Sequence, residues 1–577
     1  MYQDSKNDIS IVLCGAAGQG IATVEELLTK ILKRSGLYIF STSEFMSRVR
    51  GGTNSTTIRV SSQPVRAYCD RIDILIPLTK EAIGHVKSRI TQNTCIIGDK
   101  TLVGEHPFSS CTLLEIDFAR IAETIGNRIY SNSVAIGALA SLFKTDRKLI
   151  AEIFIEQFQQ KGNEVVQKNI EAANKGADII EDVLIHKSLN LNLNIPRNSK
   201  ITSDLILSGR DAIALGAIAG GCNYVCFYPM APSTGIASFI AQYGDEFGII
   251  VDQSEDEISV INKAYGAWYA GARGFVTTSG GGFALMTETM SLIGITESPM
   301  VINLGQRPGP ATGMPTRTEQ GDLQLALYTG HGDFPRIILA PGSIEEAFHL
   351  TQEAFNLADQ YQVPVIILSD HYIVNSTYNI PSLNLTDIKI VKHFIKTTEG
   401  YQRYKFTENG ISPRGIPGYG DGLIRVDSHT HTEDGYITED ASIRSKSVVK
   451  LMKKLKILKL NAFPPKFNGP SDYKILIIGW GSNYHIIEEV LTVLNKNEYS
   501  IAFLHFLQIY PLPVNTLDYL NKAETTIIVE NNATGQLANL IKLETGHKMA
   551  HKILKYSGYP FSVEELLEKI VKIIRGD

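Results

Sequence analysis

The chain has 577 residues, of which 44% are hydrophobic and 20% charged, and its net charge is −5. This length exceeds what one hydrophobic core supports, so three or four domains are expected. The mild charge gives no reason to expect nucleic acid or an acidic membrane as a partner. Six scattered cysteines without a Cys-x-x-Cys pair argue against a disulfide framework, an iron–sulfur cluster or a structural zinc in this chain. The absence of a membrane-length apolar run and of a signal-peptide pattern predicts a cytoplasmic protein.

The first predicted domain covers residues 1–186 and alternates strands with helices. Residues 9–14 predict a buried parallel strand, followed by the glycine turn GAAGQG at residues 15–20 and a helix. The turn indicates either an anion cradle at a helix amino terminus or a tight turn without a ligand. Arg48 and Arg50, beside a glycine pair, indicate either a phosphate or carboxylate site or a solvated basic loop.

A polar–apolar repeat at residues 187–196 predicts a linker, and the second domain follows at residues 197–395. A small-residue helix at residues 209–219 is expected to lie close against a sheet. Cys222 and Cys226 are expected to be buried, inert thiols. Buried strands alternating with helices predict a doubly wound parallel sheet. These strands are expected at residues 224–228, 248–251, 274–277, 300–304, 336–340 and 363–369.

The alternation stops at residues 396–470, which are interpreted as a linker region. His429 and His431 lie there near two acids, but their loose spacing makes a metal site the weaker interpretation. Residues 446–460 predict an amphipathic helix with solvated lysines opposite its apolar face. That apolar face is formed by Val448, Met452, Leu455 and Leu458. Residues 471–577 predict a third α/β module.

Residues 228–322 concentrate prolines and glycines at strand ends. Proline fixes φ and glycine permits positive φ, so such residues collect where the backbone must approach a ligand. The segments involved are YPMAPST, QSEDE, TTSGGG and QRPGP, which begin at Tyr228, Gln253, Thr277 and Gln306. We therefore expect half of a cofactor site here, with the other half on a partner chain.

These segments resemble those of the alpha subunit of 2-oxoacid:ferredoxin oxidoreductases, in the form with a gamma domain fused at the amino terminus. The resemblance covers nearly the whole chain and implies three α/β domains. These are a Rossmann-like gamma domain, a pyrimidine-type thiamine diphosphate-binding domain and a transketolase C-terminal-like domain. Further matching motifs are GQG at 18–20, RGG at 50–52, GHGD at 330–333, SPR at 412–414, GWGS at 479–482 and VENNATGQ at 529–536.

The resemblance implies coenzyme A-dependent oxidative decarboxylation of a 2-oxo acid, with ferredoxin as the electron acceptor. It also implies a beta subunit that carries the diphosphate site, Mg²⁺ and a [4Fe–4S] cluster, in an (alpha-beta)₂ heterotetramer. No metal ligand is expected on this chain, because its only Gly-Asp-Gly, at residues 420–422, lacks an asparagine at the required spacing.

The substrate stays open at this point. 2-Oxoglutarate is favoured, with pyruvate or a branched-chain 2-oxo acid as alternatives. Two other functions remain in view. One is a thiamine-dependent decarboxylase or transketolase-like enzyme without electron transfer, which should bring its own magnesium–diphosphate motif. The other is a non-catalytic regulatory or binding subunit.

The resemblance also assigns residues. Glu257 is expected to activate the cofactor, as a buried acid that shares a proton with the far nitrogen of the aminopyrimidine. Arg307 is expected to hold the substrate carboxylate in a bidentate fork. Further substrate-binding residues are Tyr228, Pro229, Ser233 and Thr234, and further cofactor-binding residues are Pro232, Thr278 and Ser279. Ala231 departs from the family, which has a threonine there, so either Ser233 or Thr234 supplies the hydroxyl or the substrate preference has shifted.

Overall fold

The computed structural model describes residues 7–47, 52–103, 111–186, 193, 195–496 and 499–576. Its strands are β1 (Asp8–Ala16), β2 (Tyr38–Glu44), β3 (Thr53–Ser61), β4 (Ile74–Pro77), β5 (Cys95–Gly98), β6 (Thr112–Glu115), β7 (Leu205–Ser208), β8 (Tyr224–Phe227), β9 (Ile250–Gln253), β10 (Gly274–Ser279), β11 (Met300–Gln306), β12 (Ile337–Leu339), β13 (Pro364–Asp370), β14 (Thr377–Ile380), β15 (Lys466–Asn468), β16 (Ile475–Trp480), β17 (Ile501–Phe506), β18 (Gln508–Tyr510), β19 (Thr525–Glu530) and β20 (His551–Leu554). Its α-helices are α1 (Ile21–Arg34), α2 (Glu81–His85), α3 (Lys100–Val103), α4 (Phe118–Ile125), α5 (Ser131–Leu142), α6 (Arg147–Phe158), α7 (Asn163–His186), α8 (Gly209–Ala219), α9 (Thr234–Gln242), α10 (Gly244–Phe247), α11 (Glu257–Tyr269), α12 (Gly280–Leu285), α13 (Thr287–Ile295), α14 (Leu323–Tyr328), α15 (Ile344–Tyr361), α16 (His371–Asn375), α17 (Ala441–Leu460), α18 (Tyr484–Asn495), α19 (Thr516–Lys522), α20 (Gln536–Thr545) and α21 (Val563–Arg575).

The chain forms two compact units. The first contains the described residues up to Leu207 together with Asn375–Ser382 and Ser562–Glu564, and the second contains the other described residues. The first unit holds an eight-stranded sheet in the order β6-β5-β4-β1-β3-β2-β14-β7. The strand predicted at residues 9–14 is present as β1, but it is not purely parallel. It pairs parallel with β4 and antiparallel with β3, so the sheet is mixed.

The glycine turn after β1 is closed by its own side chain. Gln19 Oε1 accepts a hydrogen bond from the backbone N–H of Ala16 at 2.8 Å, and Gln19 Nε2 donates to the carbonyl of Leu78 at 3.3 Å. A Cβ at Gly15 would lie 2.4 Å from Gln19 Oε1, so the glycine leaves room for this folded-back side chain. Since the glutamine takes up a donor that an anion would need, the geometry favours the tight-turn interpretation over the anion cradle. Arg48 and Arg50 lie outside the described residues.

The second unit holds two sheets. The larger has the order β18-β12-β13-β11-β10-β8-β9, with parallel pairing from β12 to β9 and an antiparallel edge strand, β18. Strands β10, β11 and β13 are buried along their whole length, as expected for parallel strands covered on both faces. The smaller sheet has the order β15-β17-β16-β19-β20. The predicted α/β fold class is confirmed.

The small-residue helix α8 has the predicted bounds, and its glycines permit close helix packing. A Cβ at Gly216 would lie 2.4 Å from the carbonyl oxygen of Phe348 in α15, and one at Gly209 would lie 2.0 Å from that of Ile373. The close neighbours are therefore α15 and α16, whereas the sequence suggested a sheet. Cys222 and Cys226 are buried free thiols, as predicted.

Helix α17 corrects part of the prediction of a solvated lysine face: Lys446, Lys453 and Lys456 are exposed, but two other lysines are buried. Lys450 and Lys454 are 4% and 0% exposed, and their ammonium groups contact the two carboxylate oxygens of Glu297 at 2.5 and 2.6 Å. Of the predicted apolar face, only Leu458 is buried, and Met452 is exposed. The buried face of α17 is therefore shifted from the predicted one, because two lysines can be buried when the carboxylate of Glu297 compensates their charges.

Within the described ranges, no helix is both long enough and apolar enough to cross a membrane.

Candidate functional site

Three neighbouring strands end at one edge of the seven-stranded sheet. Strands β8, β10 and β11 are parallel, with Thr277 beside Phe227 and Ser279 beside Gly305. The segments that follow them therefore emerge side by side at the carboxyl edge, where open α/β sheets bind ligands. These segments are the Tyr-Pro turn at residues 228–234, the triple glycine at residues 280–282 and the loop that begins at Arg307. The sheet thus collects at one edge the residues that the sequence singled out.

The Tyr-Pro turn is fastened to the two strands beside it. Ser233 is 1% exposed, and its Oγ donates a hydrogen bond to the carbonyl of Thr278 at the end of β10. A Cβ at Gly305 would lie 2.6 Å from Ser233 Oγ and 3.0 Å from Pro232 Cγ, so glycine is required for the turn to rest on β11. The Ser233 hydroxyl therefore holds the turn in place, and its contact with the substrate stays a prediction.

The other residues of the turn are more open. Tyr228 is 39% exposed, Pro229 is exposed, and Thr234 at the start of α9 is half-buried. The carbonyl of Ala231 accepts a hydrogen bond from Arg307 Nη1 at 2.8 Å. The main chain at position 231 therefore orients the arginine, and Thr234 is the other hydroxyl of the two that were considered for the substrate.

Glu257 is the first residue of α11 and is 5% exposed. The cap of this helix is the neighbouring Asp256, whose side chain accepts from the N–H of Ser259 at 2.8 Å. Glu257 is thus free of the capping role, and its carboxylate makes no hydrogen bond to the described residues. A Cβ at Gly282 would lie 2.7 Å from Glu257 Cγ and 2.4 Å from Thr278 Oγ1, so the third glycine leaves the space that the glutamate fills. A buried carboxylate without a protein partner is suited to bind a polar group of a ligand.

Two more buried polar atoms at this edge lack a hydrogen-bond partner among the residues described. They are Ser279 Oγ, at the end of β10, and Arg307 Nε, at the end of β11. Burial lowers the pKa of the Arg307 guanidinium, and the charge of Asp322 opposes this effect. Buried polar groups in folded proteins are normally paired, so unpaired ones at a sheet edge indicate places for ligand atoms.

Asp322 is a site residue to which the sequence analysis assigned no role. Its Oδ2 is buried without a hydrogen-bond partner within the described chain. A Cβ at Gly280 would lie 2.6 Å from each of its two carboxylate oxygens, so it stands directly over the triple glycine. Burial and, second, the charge of Glu319 raise the pKa of Asp322 from 3.8 to about 7, while Arg307 acts in the opposite direction. The signal available in the sequence was its place at the end of the glycine- and proline-rich stretch.

The loop that carries Glu319 and Asp322 is held by Gln320, which is fully buried. Gln320 Oε1 accepts hydrogen bonds from the N–H of Asn531 at 2.9 Å and from Asn483 Nδ2 at 3.0 Å, and its Nε2 donates to the carbonyl of Trp480 at 2.9 Å. Trp480 is the last residue of β16 and belongs to the GWGS motif, and Asn483 directly follows that motif. Asn531 follows β19 within the VENNATGQ motif. The two motifs therefore anchor the acidic loop of the site.

The two histidines at positions 429 and 431 and Arg414 make contacts that account for their positions without a ligand. His429 Nδ1 lies 2.6 Å from Asp427, and His431 stacks on Tyr404 with ring centroids 3.5 Å apart. No group of three or more histidines, cysteines or acids suited to a metal ion occurs among the described residues. Arg414, of the SPR motif, pairs with the buried Asp359 and serves the fold.

Two families match the chain. Residues 10–179 match the family described as pyruvate ferredoxin/flavodoxin oxidoreductase, and residues 215–450 match the one described as pyruvate flavodoxin/ferredoxin oxidoreductase, thiamine diphosphate-binding. The second match includes the whole sheet edge described above.

Similar proteins carry consistent names. A 2-oxoacid:ferredoxin oxidoreductase subunit alpha from Sulfolobus sp. is 31% identical, over 98% of this chain and 97% of the relative. A 2-oxoglutarate synthase subunit KorA from Archaeoglobus fulgidus is 32% identical, over 64% of this chain and 99% of the relative. The solved structure of 2-oxoglutarate:ferredoxin oxidoreductase from Magnetococcus marinus, with 2-oxoglutarate, coenzyme A and succinyl-CoA bound, is 29% identical. It superposes with a TM-score of 0.91 over 99% of this chain and 100% of that one.

Proposed function

The chain belongs to the alpha subunits of the 2-oxoacid:ferredoxin oxidoreductases, and from this membership we propose that it works with a beta subunit in the coenzyme A-dependent oxidative decarboxylation of a 2-oxo acid. The products are an acyl-CoA and CO₂, and the electrons pass to ferredoxin. The observation that carries the proposal is the pairing, at one sheet edge, of a buried carboxylate without a protein partner, Glu257, with a partly unpaired guanidinium, Arg307.

The residues present fit one half of a thiamine diphosphate site. Bound thiamine diphosphate supplies a nucleophilic carbon that takes up the substrate carbonyl and stabilises the electron pair left by CO₂. Glu257, whose side chain fills the space beside Gly282, would share a proton with the far nitrogen of the aminopyrimidine. Thr278, Ser279 and Pro232 would be the further residues that hold the cofactor. We place the diphosphate, Mg²⁺ and the [4Fe–4S] cluster on the beta subunit, in an (alpha-beta)₂ assembly.

Arg307 binds the substrate carboxylate in this proposal. Its Nη1 is engaged by the carbonyl of Ala231, which fixes the plane of the guanidinium, while its Nε has no partner among the described residues. A planar, oriented guanidinium suits a carboxylate, because two N–H groups can donate to its two oxygens. Tyr228, Pro229 and Thr234 close the pocket around the remainder of the substrate, and the methyl group of Ala231 replaces the hydroxyl of the family pattern.

2-Oxoglutarate is the proposed substrate. The support is the likeness over the whole chain to a 2-oxoglutarate:ferredoxin oxidoreductase and over 64% of the chain to a 2-oxoglutarate synthase subunit. The domain division proposed with it is a gamma domain at 1–186, a thiamine diphosphate-binding domain at 197–395, a linker region at 396–470 and a transketolase C-terminal-like domain at 471–577.

The first experiment is a substrate panel on the chain co-expressed with its beta subunit. We expect coenzyme A-dependent reduction of a viologen dye, fastest with 2-oxoglutarate, and no turnover by the isolated chain. Full activity of the isolated chain would contradict a site divided between subunits. Faster turnover of pyruvate or a branched-chain 2-oxo acid would move the substrate assignment and leave the reaction class in place.

The second experiment replaces the proposed activating acid. Glu257→Gln keeps the size of the side chain and removes its proton exchange, so kcat should fall by about 10²-fold or more, since general acid–base catalysis contributes that much. The matched control is Glu255→Gln, two residues away, where the carboxylate is 72% exposed. Normal turnover of Glu257→Gln in an assembled complex would overturn the assignment.

A further inference from the structure

Besides Glu257, the ionisable residues Arg307, Glu319 and Asp322 lie on the loop at the carboxyl edge of the seven-stranded sheet, and of these only Arg307 has a part in the proposed reaction. Asp322 stands over Gly280 with one carboxylate oxygen buried and unpartnered, and Arg307 has its Nε buried and unpartnered. The two groups interact through their charges. Within the described chain, the other charge that acts on Asp322 is that of Glu319, on the same loop. The neighbouring contacts on this loop come from uncharged groups, Gln306 and Gln536.

The charge balance of this group decides whether an anion is attracted. When Asp322 is protonated, the positive charge of the Arg307 guanidinium is not offset by Asp322. When Asp322 is ionised, its negative charge offsets that of the guanidinium. In a partly buried site this change acts strongly on a bound carboxylate, because the low dielectric screens charges poorly.

We propose that Asp322 controls the affinity of the site for its substrate by setting the charge that surrounds Arg307. The protonated carboxyl leaves the guanidinium available to the carboxylate of a 2-oxo acid, and the ionised carboxylate competes with it. Asp322 is thus a positioning residue that acts through Arg307. The inference rests on the proposed function, since it takes a 2-oxo acid as the ligand.

Hydrogen bonds hold residues 320–322 of the acidic loop in place. The N–H of Asp322 donates to Gln306 Oε1 at 3.2 Å, and Gln536 Nε2 donates to the carbonyl of Gly321 at 2.8 Å. Together with the anchors of Gln320, these bonds hold the segment that joins Glu319 to Asp322. Because these hydrogen bonds hold the backbone at Asp322 in place, its carboxylate stays near Arg307 when it ionises. The change in charge therefore acts on the guanidinium. Burial also raises the pKa of Glu319, and the pKa of Asp322, about 7, places its ionisation where the enzyme can be assayed.

The test is the pH dependence of KM for 2-oxoglutarate in the assembled complex, with saturating coenzyme A and viologen. In the wild type, KM should be flat below about pH 6.5 and rise above the pKa, by up to tenfold per pH unit when only the protonated form binds. Asp322→Asn keeps the shape and removes the charge, so its KM should stay low and flat. The control is the exposed Glu255→Gln, which should keep the wild-type profile.

A second variant and a binding measurement keep the test decisive when Asp322→Asn fails to fold. Glu319→Gln removes the charge that helps to keep Asp322 protonated, so the rise in KM should begin at lower pH. Calorimetry with N-oxalylglycine, an unreactive analogue of 2-oxoglutarate, should show an uptake of up to about one proton on binding near pH 8 in the wild type and in Glu255→Gln. Asp322→Asn should show none.

The outcomes separate the inference from the function it rests on. A complex that turns over no 2-oxo acid and does not bind the analogue contradicts the proposed function. An active complex in which Asp322→Asn retains the rise in KM, or in which Glu319→Gln leaves the midpoint unchanged, overturns the role of Asp322 and leaves the proposed function standing.

Discussion

Replacing Gly282 by alanine tests whether the triple glycine exists to make room for Glu257. Gly282 lies in helix α12, where alanine is preferred over glycine by about 0.5–1 kcal/mol. The added Cβ would lie 2.7 Å from Glu257 Cγ and Oε1 and 2.4 Å from Thr278 Oγ1. The side chains of Thr278 and Glu257 must therefore both move away from the new Cβ. Overpacking of this kind costs about 1–3 kcal/mol, which offsets or exceeds the gain in helix propensity.

Gly281→Ala is the matched control, because it lies in the same helix and its Cβ would meet only the Ala311 carbonyl oxygen, at 3.8 Å. Urea unfolding should find Gly281→Ala at least as stable as the wild type and Gly282→Ala less stable than the control by about 1–3 kcal/mol. In the complex, kcat of Gly282→Ala should fall by about 10–10²-fold, since a displacement of about 1 Å in a catalytic group has that effect. Equal stability and equal kcat in the two variants would refute the fit between Gly282 and Glu257.

Two further predictions concern buried charge. Glu297→Gln leaves Lys450 and Lys454 buried without their counter-ion and should lower the free energy of unfolding by about 3–5 kcal/mol. Glu568→Gln breaks an exposed pair with Lys572 and should leave the free energy of unfolding nearly unchanged. Similar losses in the two variants would contradict the burial of the Glu297 triad. Asp322 has a folded-state pKa above its usual value, so between about pH 4 and pH 7 the folded chain holds a proton that the unfolded chain releases, and stability falls as pH rises. Asp322→Asn removes this loss, so its free energy of unfolding relative to that of the wild type should rise by up to about 1.4 kcal/mol for each unit that the pH increases in that window. A difference that does not depend on pH would show that Asp322 does not titrate near neutrality.

Local sequence determined the parts of the fold that could be predicted. The bounds of α8 follow from its small residues and from the capping box of Ser208 and Asp211. Six of the seven strands of the larger sheet were visible as apolar runs bounded by turn residues, and the edge strand β18 was not predicted. The glycines and prolines at the strand ends predicted the position of the candidate site at residues 228–322.

What could not be predicted depends on residues far apart in the chain. The buried face of α17 follows from Glu297, more than 150 positions earlier, so helical periodicity alone selected the wrong face. The glycine turn after β1 is closed by Gln19 and Leu78, which only the folded sheet brings together. The environment of Asp322 depends on Gln320 and on partners about 160–210 residues later, which no local pattern reveals.

Because Gln320 is bonded to the carboxyl-terminal motifs, these motifs support the candidate site from outside the pocket. A chain that ends before β16 keeps Glu257, Arg307 and the Tyr-Pro turn, yet it loses Trp480, Asn483 and Asn531, to which Gln320 is bonded. A chimera that takes its last hundred residues from a relative would exchange the support of the acidic loop without touching a single pocket residue. Any shift in its pH response would then trace to the graft. The carboxyl-terminal module would in this way change the ionisation of Asp322 while the pocket residues stay the same.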